Sequence, residues 1–317
     1  MCSKRLKIRK FEGTDYTEIV RLKNLVFPWI NLSIEALRHR DENRAEKCEH
    51  QKYIAELDHE VIGYAGYSQS GVSYEPGKFN INGVIHPDHQ AEGYGAEFYR
   101  HLMEELEEHD PVELWSHTKE GKERAIRFLE DRGFQEIRRV WELELDVDEF
   151  DEEPAGSEEY LEEKGIALTT LEEVGTTEEN KRKFYDLFDK IAKDIPESDQ
   201  YTGMDYEQFK KMILGRPIFS SECSIVAVKD NSFIGLLTQY LNEKENAIYT
   251  GLGGVKREHR RKGIATAMIE KAVEIAEEKG ISKIKTESDN EGILHIIEKL
   301  GFEKKPGGIE FKKVLEG

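Results

Sequence analysis

The sequence predicts two α/β domains in tandem, on three observations. Strand-like and helix-like segments alternate along the whole 317 residues. The order of these segments in the first half recurs in the second. Between the halves lies "DVDEFDEEPAGSEEYLEEKG", Asp146 to Gly165. It is acidic, contains Pro154, Ala155, Gly156 and Ser157, lacks sustained periodicity and reads as a linker. The expected division is a first domain over 1–147, a linker over 148–163 and a second domain over 164–317.

In the first half, "RLKIRKF" reads as a strand. Thr14 to Phe27 has helical spacing, with Thr14 as the expected N-cap. A second helical stretch runs through "SIEALRHRDENRAEKC". "KYIAELDHEVIGYAGYSQS" gives two strands joined at Asp58-His59, and "KFNINGVIH" gives another. A helix over Gly95–Glu108 follows, then the strand "VELWSH", the helix "KERAIRFLEDRG" and closing strands in "FQEIRRVWELELD".

The second half repeats this order. "GIALTTLEEV" is a strand, "TEENKRKFYDLFDKIAKD" and "DYEQFKKMIL" are helices, and "CSIVAVKDNSFIGLLTQYL" is a strand pair turning at Asp230-Asn231. "NAIYTGLGGV" is a strand. Ala265, Met268, Ile269, Ala272, Val273 and Ala276 then recur on one helical face. The strand "SKIKTE", the helix "EGILHIIEKLG" and "FEKKPGGIEFKKVL" complete the chain. Aligning Gln90 with Arg260 puts His89 on His259, Gly93 on Gly263 and Gly95 on Ala265. Arg132-Gly133-Phe134 answers Leu300-Gly301-Phe302. The chain is an internal duplication.

Two stretches carry the chemistry: "REHRRKGIATAM" from Arg257 and "PDHQAEGYGAEF" from Pro87. Each lies between a strand and a helix. A helix N-terminus presents unpaired amides and a positive dipole end, both of which favour an anion. Gly263 allows a close backbone approach, and the small Ala265 leaves room above it. Arg260, Arg261 and Lys262 add cations where the dipole alone would disfavour them, so a bound anion is expected to compensate. In the first half, Gln90, Gly93 and Gly95 are equally placed, but Glu92 stands where a cation would help. The segment "GLGGV", Gly251 to Val255, is not a dinucleotide fingerprint, because it precedes the basic loop instead of opening a helix.

The formal net charge is −19, which argues against a nucleic-acid partner and suits a cationic one. Three cysteines, Cys2, Cys48 and Cys223, have no metal or redox spacing, so no metal site and a reduced, cytoplasmic setting are expected. No run of about 18 apolar residues occurs, so no membrane span is expected.

The strand, "VKREHRRKGIA", a helix and "NEGILHIIEKLGF" together resemble the GCN5-related N-acetyltransferase (GNAT) family. So do "VIHPDHQAEGYG" and "AIRFLEDRGF". The resemblance covers both halves and is similar in arrangement to the tandem type of mycothiol synthase. It implies mixed twisted sheets flanked by helices, with acetyl-CoA lying where the fourth and fifth strands of a domain splay apart. The implied cofactor-binding residues are Val255, Arg260, Arg261, Lys262, Gly263, Ile264, Ala265, Thr266 and Asn290 in the second half. In the first half they are Ile85, Gln90, Ala91, Glu92, Gly93, Tyr94 and Gly95. The implied reaction is direct transfer of an acetyl group from acetyl-CoA to the amine of a small molecule; the more cationic loop and Asn290 point to the second domain as the active one, in a monomer or homodimer.

Many members carry a tyrosine seven residues after an asparagine, as acid for the leaving thiolate. Here Asn290 is followed by Ile297, and Lys122 by Leu129, so the catalytic residues are left unassigned. Tyr249, Glu287 and His295, with His86 and His117, lie near the expected clefts without an assigned role. Asp194, Glu197 and Asp199 read as a solvated acidic loop, with attraction of an amine as the alternative. Two other readings fit the doubled fold. One is an acyl-CoA-binding regulatory protein without transferase activity. The other moves an aminoacyl group from transfer RNA, which the acidic balance disfavours.

Overall fold

Both two-residue turns form as the sequence predicts. Asp58 and His59 have φ of 50° and 70°, and Asp230 and Asn231 have 48° and 60°. Left-handed backbone at both central positions matches the twist of antiparallel strands. The structure is a computed structural model, and it describes residues 6–28, 32–150, 157–195 and 201–315. It divides into two units.

The first unit comprises residues 1–118, 122–137 and 310–317. Its elements are β1 (Lys7–Lys10), α1 (Tyr16–Val26), α2 (Ile34–Glu42), β2 (His50–Leu57), β3 (Glu60–Ser68), β4 (Lys78–Ile85), α3 (Tyr94–Leu106), β5 (Glu113–Lys119), α4 (Glu123–Glu130) and the start of β6 (Gln135–Asp146). Strands β1 to β4 are antiparallel neighbours in order, and β5 joins β4 in parallel. Helices α1 and α2 cover one face, closing Ile19, Leu22 and Leu37 over Ile54, Tyr64 and Val84. Helix α3 buries Phe98, Leu102 and Leu106, one residue per turn, as an amphipathic helix must.

Thr14 is not the cap of α1. A 3-10 turn over Gly13–Asp15 leads into the helix, and the Asp15 carboxylate accepts from the Glu12 amide at 2.8 Å. The second helical stretch is shorter than its pattern, ending at Glu42. Asn43 closes it, its amide nitrogen donating to the His39 carbonyl at 2.9 Å, and the chain turns through Arg44 to Cys48.

The second unit comprises residues 119–121 and 138–309. Its elements are α5 (Ser157–Glu163), β7 (Ala167–Thr170), α6 (Glu178–Ala192), α7 (Tyr206–Phe209), β8 (Ile225–Lys229), β9 (Ser232–Asn242), β10 (Ala247–Val255), α8 (Ile264–Glu278), β11 (Lys283–Ser288), α9 (Glu291–Lys299) and most of β12 (Glu303–Val314). Strands β7 to β10 are antiparallel, β11 joins β10 in parallel, and β6 joins β11 antiparallel. Helix α7 continues as a π-helix over Lys210–Leu214. Helices α6 and α7 close one face around Phe184, Phe209 and Leu236, and α5, α8 and α9 close the other around Met268, Ile284 and Ile297.

Part of the sequence-predicted linker is therefore helix. Ser157–Glu163 forms α5, which places Leu161 in the second unit's core at 1% exposure. The closing strands also divide between the units: β6 from Arg138 on belongs with the second, and β12 from Glu310 on belongs with the first. Helices α4 and α9 end alike. Gly133 and Gly301 both have φ of 81°, and the amides of Phe134 and Phe302 donate back to the carbonyls of Leu129 and Ile297. Only glycine adopts this backbone without steric cost, which accounts for both Gly-Phe pairs.

Candidate functional site

In each unit the two parallel strands part company. β4 pairs with β5 only from Lys78↔Glu113 to Asn80↔Trp115, yet β4 continues to Ile85 and β5 to Lys119. β10 pairs with β11 only from Ala247↔Lys283 to Tyr249↔Lys285, and continues to Val255. Beyond these last pairs, the facing edges keep backbone groups that no neighbouring strand satisfies. The result is a V-shaped cleft in each unit, open toward the following helix.

The two clefts differ by one residue. From the last pair to the strand end, β4 runs without interruption against β3, Asn80↔Ser68 through Ile85↔Gly63. β10 instead shifts register between Thr250 and Gly253, where Gly251 and Leu252 together face Thr238. This is a β-bulge, which turns backbone groups out of the ladder. Thr238 reaches across it, its Oγ1 donating to the Leu252 carbonyl at 2.9 Å. The glycines of "GLGGV" are needed here for close packing. A Cβ at Gly251 would stand 2.6 Å from the Tyr240 ring, and one at Gly254 would stand 2.7 Å from Ile191 of α6. Helix α6 thus lies directly on the bulged strand.

The loops after β4 and β10 share one conformation. Each passes through a 3-10 turn, Pro87–His89 or Arg257–His259. Each then has two left-handed residues separated by one: Ala91 and Gly93 with φ of 66° and 93°, Arg261 and Gly263 with 60° and 79°. A side chain locks each loop back to the strand end. Gln90 Nε2 donates to the Ile85 carbonyl at 2.9 Å, and Arg260 Nε donates to the Val255 carbonyl at 2.8 Å. Helix bonding begins only at Ala96 onto Gly93 and at Ala267 onto Gly263. Neither helix has a side-chain cap. The amides of Tyr94 and Gly95, and of Ile264, Ala265 and Thr266, therefore precede the ladder, as unpaired helix N-terminal donors. A Cβ at Gly95 would meet only ordinary contacts, the nearest at 3.5 Å, so Ala265 can hold the same place in the second unit.

The charges differ sharply. Around the second loop stand Arg257, Arg260, Arg261 and Lys262; around the first, Asp88 and Glu92 are exposed and His89 lies 3.8 Å from Glu92. Asp194 is neither a solvated loop residue nor free for an amine. It accepts from Arg257 Nε at 2.9 Å and from Arg260 at 2.7 Å. The Arg257 guanidinium, helped by Arg260, holds its carboxyl below the usual range. Glu197 and Asp199 lie outside the described residues.

Asn290 caps α9, its Oδ1 accepting from the Ile293 amide at 3.1 Å. Ile297 and Leu129, where an acidic tyrosine would stand, are core side chains at 4% and 7% exposure. Tyr249 sits at the vertex of the second cleft in a cluster the sequence did not signal. Its hydroxyl donates to Glu245, and Lys285 Nζ bonds Glu245 at 2.9 Å and the Tyr249 oxygen at 3.2 Å. Burial, then the Glu245 hydrogen bond, pushes the Tyr249 hydroxyl up to about 12, so it stays protonated, donating to Glu245 while it accepts from Lys285. Gln239, fully buried on the neighbouring strand, accepts from Thr250 at 3.1 Å, while its Nε2 has no partner among the described residues. Glu287 and His295 face outward on β11 and α9. His86 Nδ1 accepts from the Asp88 amide at 3.3 Å, and burial, with repulsion from Lys23, holds the His117 imidazole below its ordinary value. Cys48 and Cys223 are buried free thiols. Among the described residues there is no cluster of metal-ligating side chains, and no helix is long and apolar enough to cross a membrane.

The model of the acetyltransferase (GNAT) family matches residues 16–134 and 182–302. Among solved structures, a tandem GNAT protein from the clavulanic acid biosynthesis pathway superposes with a TM-score of 0.75 at 17% identity, covering 99% of each chain. A GCN5-related N-acetyltransferase from Sphaerobacter thermophilus gives 0.71 at 16% identity, covering 98% of this chain and 96% of that one. One from Anabaena variabilis gives 0.56 at 13% identity, covering 98% and 73%. No curated protein matches by sequence.

Proposed function

The chain belongs to the acetyltransferase (GNAT) family, and from that premise we propose that it transfers an acetyl group from acetyl-CoA to the amine of a small molecule, in its second unit. One observation carries the choice of unit. Only the second cleft combines a bulged strand with a loop of left-handed residues ringed by cations. The uncapped amides ahead of α8 fit a pyrophosphate, and Arg261 and Lys262 add charge-assisted bonds to it, while Arg260, held by Val255 and Asp194, fixes the loop. The free edge of β10 up to Val255 fits the amides of a pantetheine arm.

Bound acetyl-CoA supplies an activated thioester. The chain's own task is to hold an amine beside it, accept the proton of the ammonium and keep water out. Helix α6, pressed on Gly254, walls the acceptor side of the cleft. The acceptor is a small amine rather than a nucleic acid, in keeping with the net charge of −19.

A second reading is favoured by Ile297 and Leu129. With core aliphatics in place of an acid in both units, the protein binds acyl-CoA as a regulator without turnover. Calorimetry with acetyl-CoA, beside a thiol-release assay over a broad amine panel, separates the two. Gly263→Glu is expected to abolish binding and turnover, while Gly93→Glu leaves turnover intact. Both positions have open space, so the fold should carry only a backbone cost of about 1–2 kcal/mol. Binding unchanged in both variants sinks the cradle. Binding without turnover on any amine establishes the regulator.

A further inference from the structure

A cavity of about 20 Å³ lies in the first unit, between α1, α2 and the sheet. Four cations line it from four places: Lys23 on α1, Arg40 on α2, Arg44 on the turn after α2, and Lys52 on β2. One carboxylate answers them. Asp41 bonds Lys52, lies 3.5 Å from the Arg44 guanidinium and accepts from the Tyr16 hydroxyl at 3.1 Å. Lys23 and Arg40 are left without an ion pair among the described residues. Arg44 Nε is buried and has no hydrogen-bond partner among them.

This is an excess of positive charge against a largely dry wall of Ile19, Leu37 and Tyr64, the last at 2% exposure. Arg40 is exposed and the Lys23 ammonium stands 5.6 Å from the Tyr64 ring centroid, so the cost falls on the half-buried Lys23 and Arg44, whose charge is disfavoured there unless a ligand compensates it. Neighbouring groups register the imbalance. Burial, with repulsion from Arg40 and Lys52, brings the Lys23 ammonium down to about 8, and Asp41 offsets this only in part. Burial first, and then Lys23 and Arg40, hold the His117 imidazole below its ordinary value, against the opposing pull of Glu310.

We propose that this cavity is a carboxylate site, taking the carboxylate of a small organic acid between Lys23, Arg40 and Arg44. The cavity holds about 20 Å³ of space for small polar groups and opens to solvent, so the body of the acid extends outward. Two guanidinium groups favour a planar, two-oxygen partner. The site is independent of both phosphate-binding loops, and it gives the unit with the less cationic loop a ligand of its own.

The test uses the full chain with propionate and succinate as probes, against sodium chloride and inorganic phosphate at matched ionic strength. Either carboxylate is expected to raise the melting temperature saturably, by about 2–4 °C. The lysine side-chain resonance titrating near pH 8 should move upward as it binds. Lys23→Met and Arg40→Gln should each weaken binding at least tenfold, while circular dichroism and acetyl-CoA binding remain as in the wild type. The proposal is overturned if carboxylates act no differently from chloride, if phosphate binds in their place, or if both variants respond like the wild type. Should a variant fail to fold, the lysine titration of the wild-type protein decides alone.

Discussion

At the scale of single residues, Ile297 decides what repair of the missing acid would do. It sits in the core among Met268 and Ile284 at 4% exposure, and its carbonyl accepts the amide that closes the turn after α9. A tyrosine there must displace packed neighbours. Ile297→Tyr is expected to destabilise the protein by about 1–3 kcal/mol and to leave kcat no higher. Urea unfolding and the thiol-release assay measure both. A gain in kcat at unchanged stability would show that the side chain can reach the cleft. Asp194 teaches a related lesson. Its acidity was legible in the sequence, but its partners were not, because Arg257 and Arg260 lie 63 and 66 residues away along the chain.

At the scale of elements, one buried carboxylate ties the entry of α1 to two strands. Asp15, at 5% exposure, receives both ends of the Arg9 guanidinium at 2.7 and 2.8 Å, and Arg9 Nε reaches Glu56 of β2 at 2.6 Å. The Arg9 bonds, more than the Glu12 amide, hold the Asp15 carboxyl below its ordinary value. A depressed carboxyl contributes stability above its unfolded pKa and loses it as pH falls through the folded one. Asp15→Asn should therefore cost about 2 kcal/mol at neutral pH, the gap from wild type closing below about pH 4. Denaturant melts across that range test it, and a gap that does not depend on pH would refute the linkage. The elements themselves were largely readable, since hairpin turns and helix ends depend on local backbone chemistry. The bulge of β10 was not read from "GLGGV", although glycines inside a strand pattern are its ordinary sign.

At the scale of the molecule, the halves defined by the linker are not the compact units. Residues 310–317 belong to the first unit, where the Leu315 amide donates to the Val112 carbonyl at 2.9 Å, and Phe311 is fully buried. A fragment of residues 1–147 would lack that strand and expose the edge of β5. Such an edge invites association. The fragment is expected to aggregate or to melt well below the full chain, and appending residues 310–317 through a flexible linker should restore a monomer. Light scattering and calorimetry read the outcome. A monomeric fragment 1–147 as stable as its extended form would show the closing strand to be dispensable.

The sequence by itself determined the duplicated α/β order, both left-handed hairpin turns, the helix-ending glycines and the matching glycine-bearing loops before α3 and α8. Each of these rests on the conformational preference of a few adjacent residues. Only the tertiary structure decided where β4 and β10 leave their neighbours, which carboxylate neutralises Arg260, where the closing strands belong, and that four dispersed cations of the first unit share one cavity. Those are contacts between residues far apart in the chain, set by packing that local pattern does not specify.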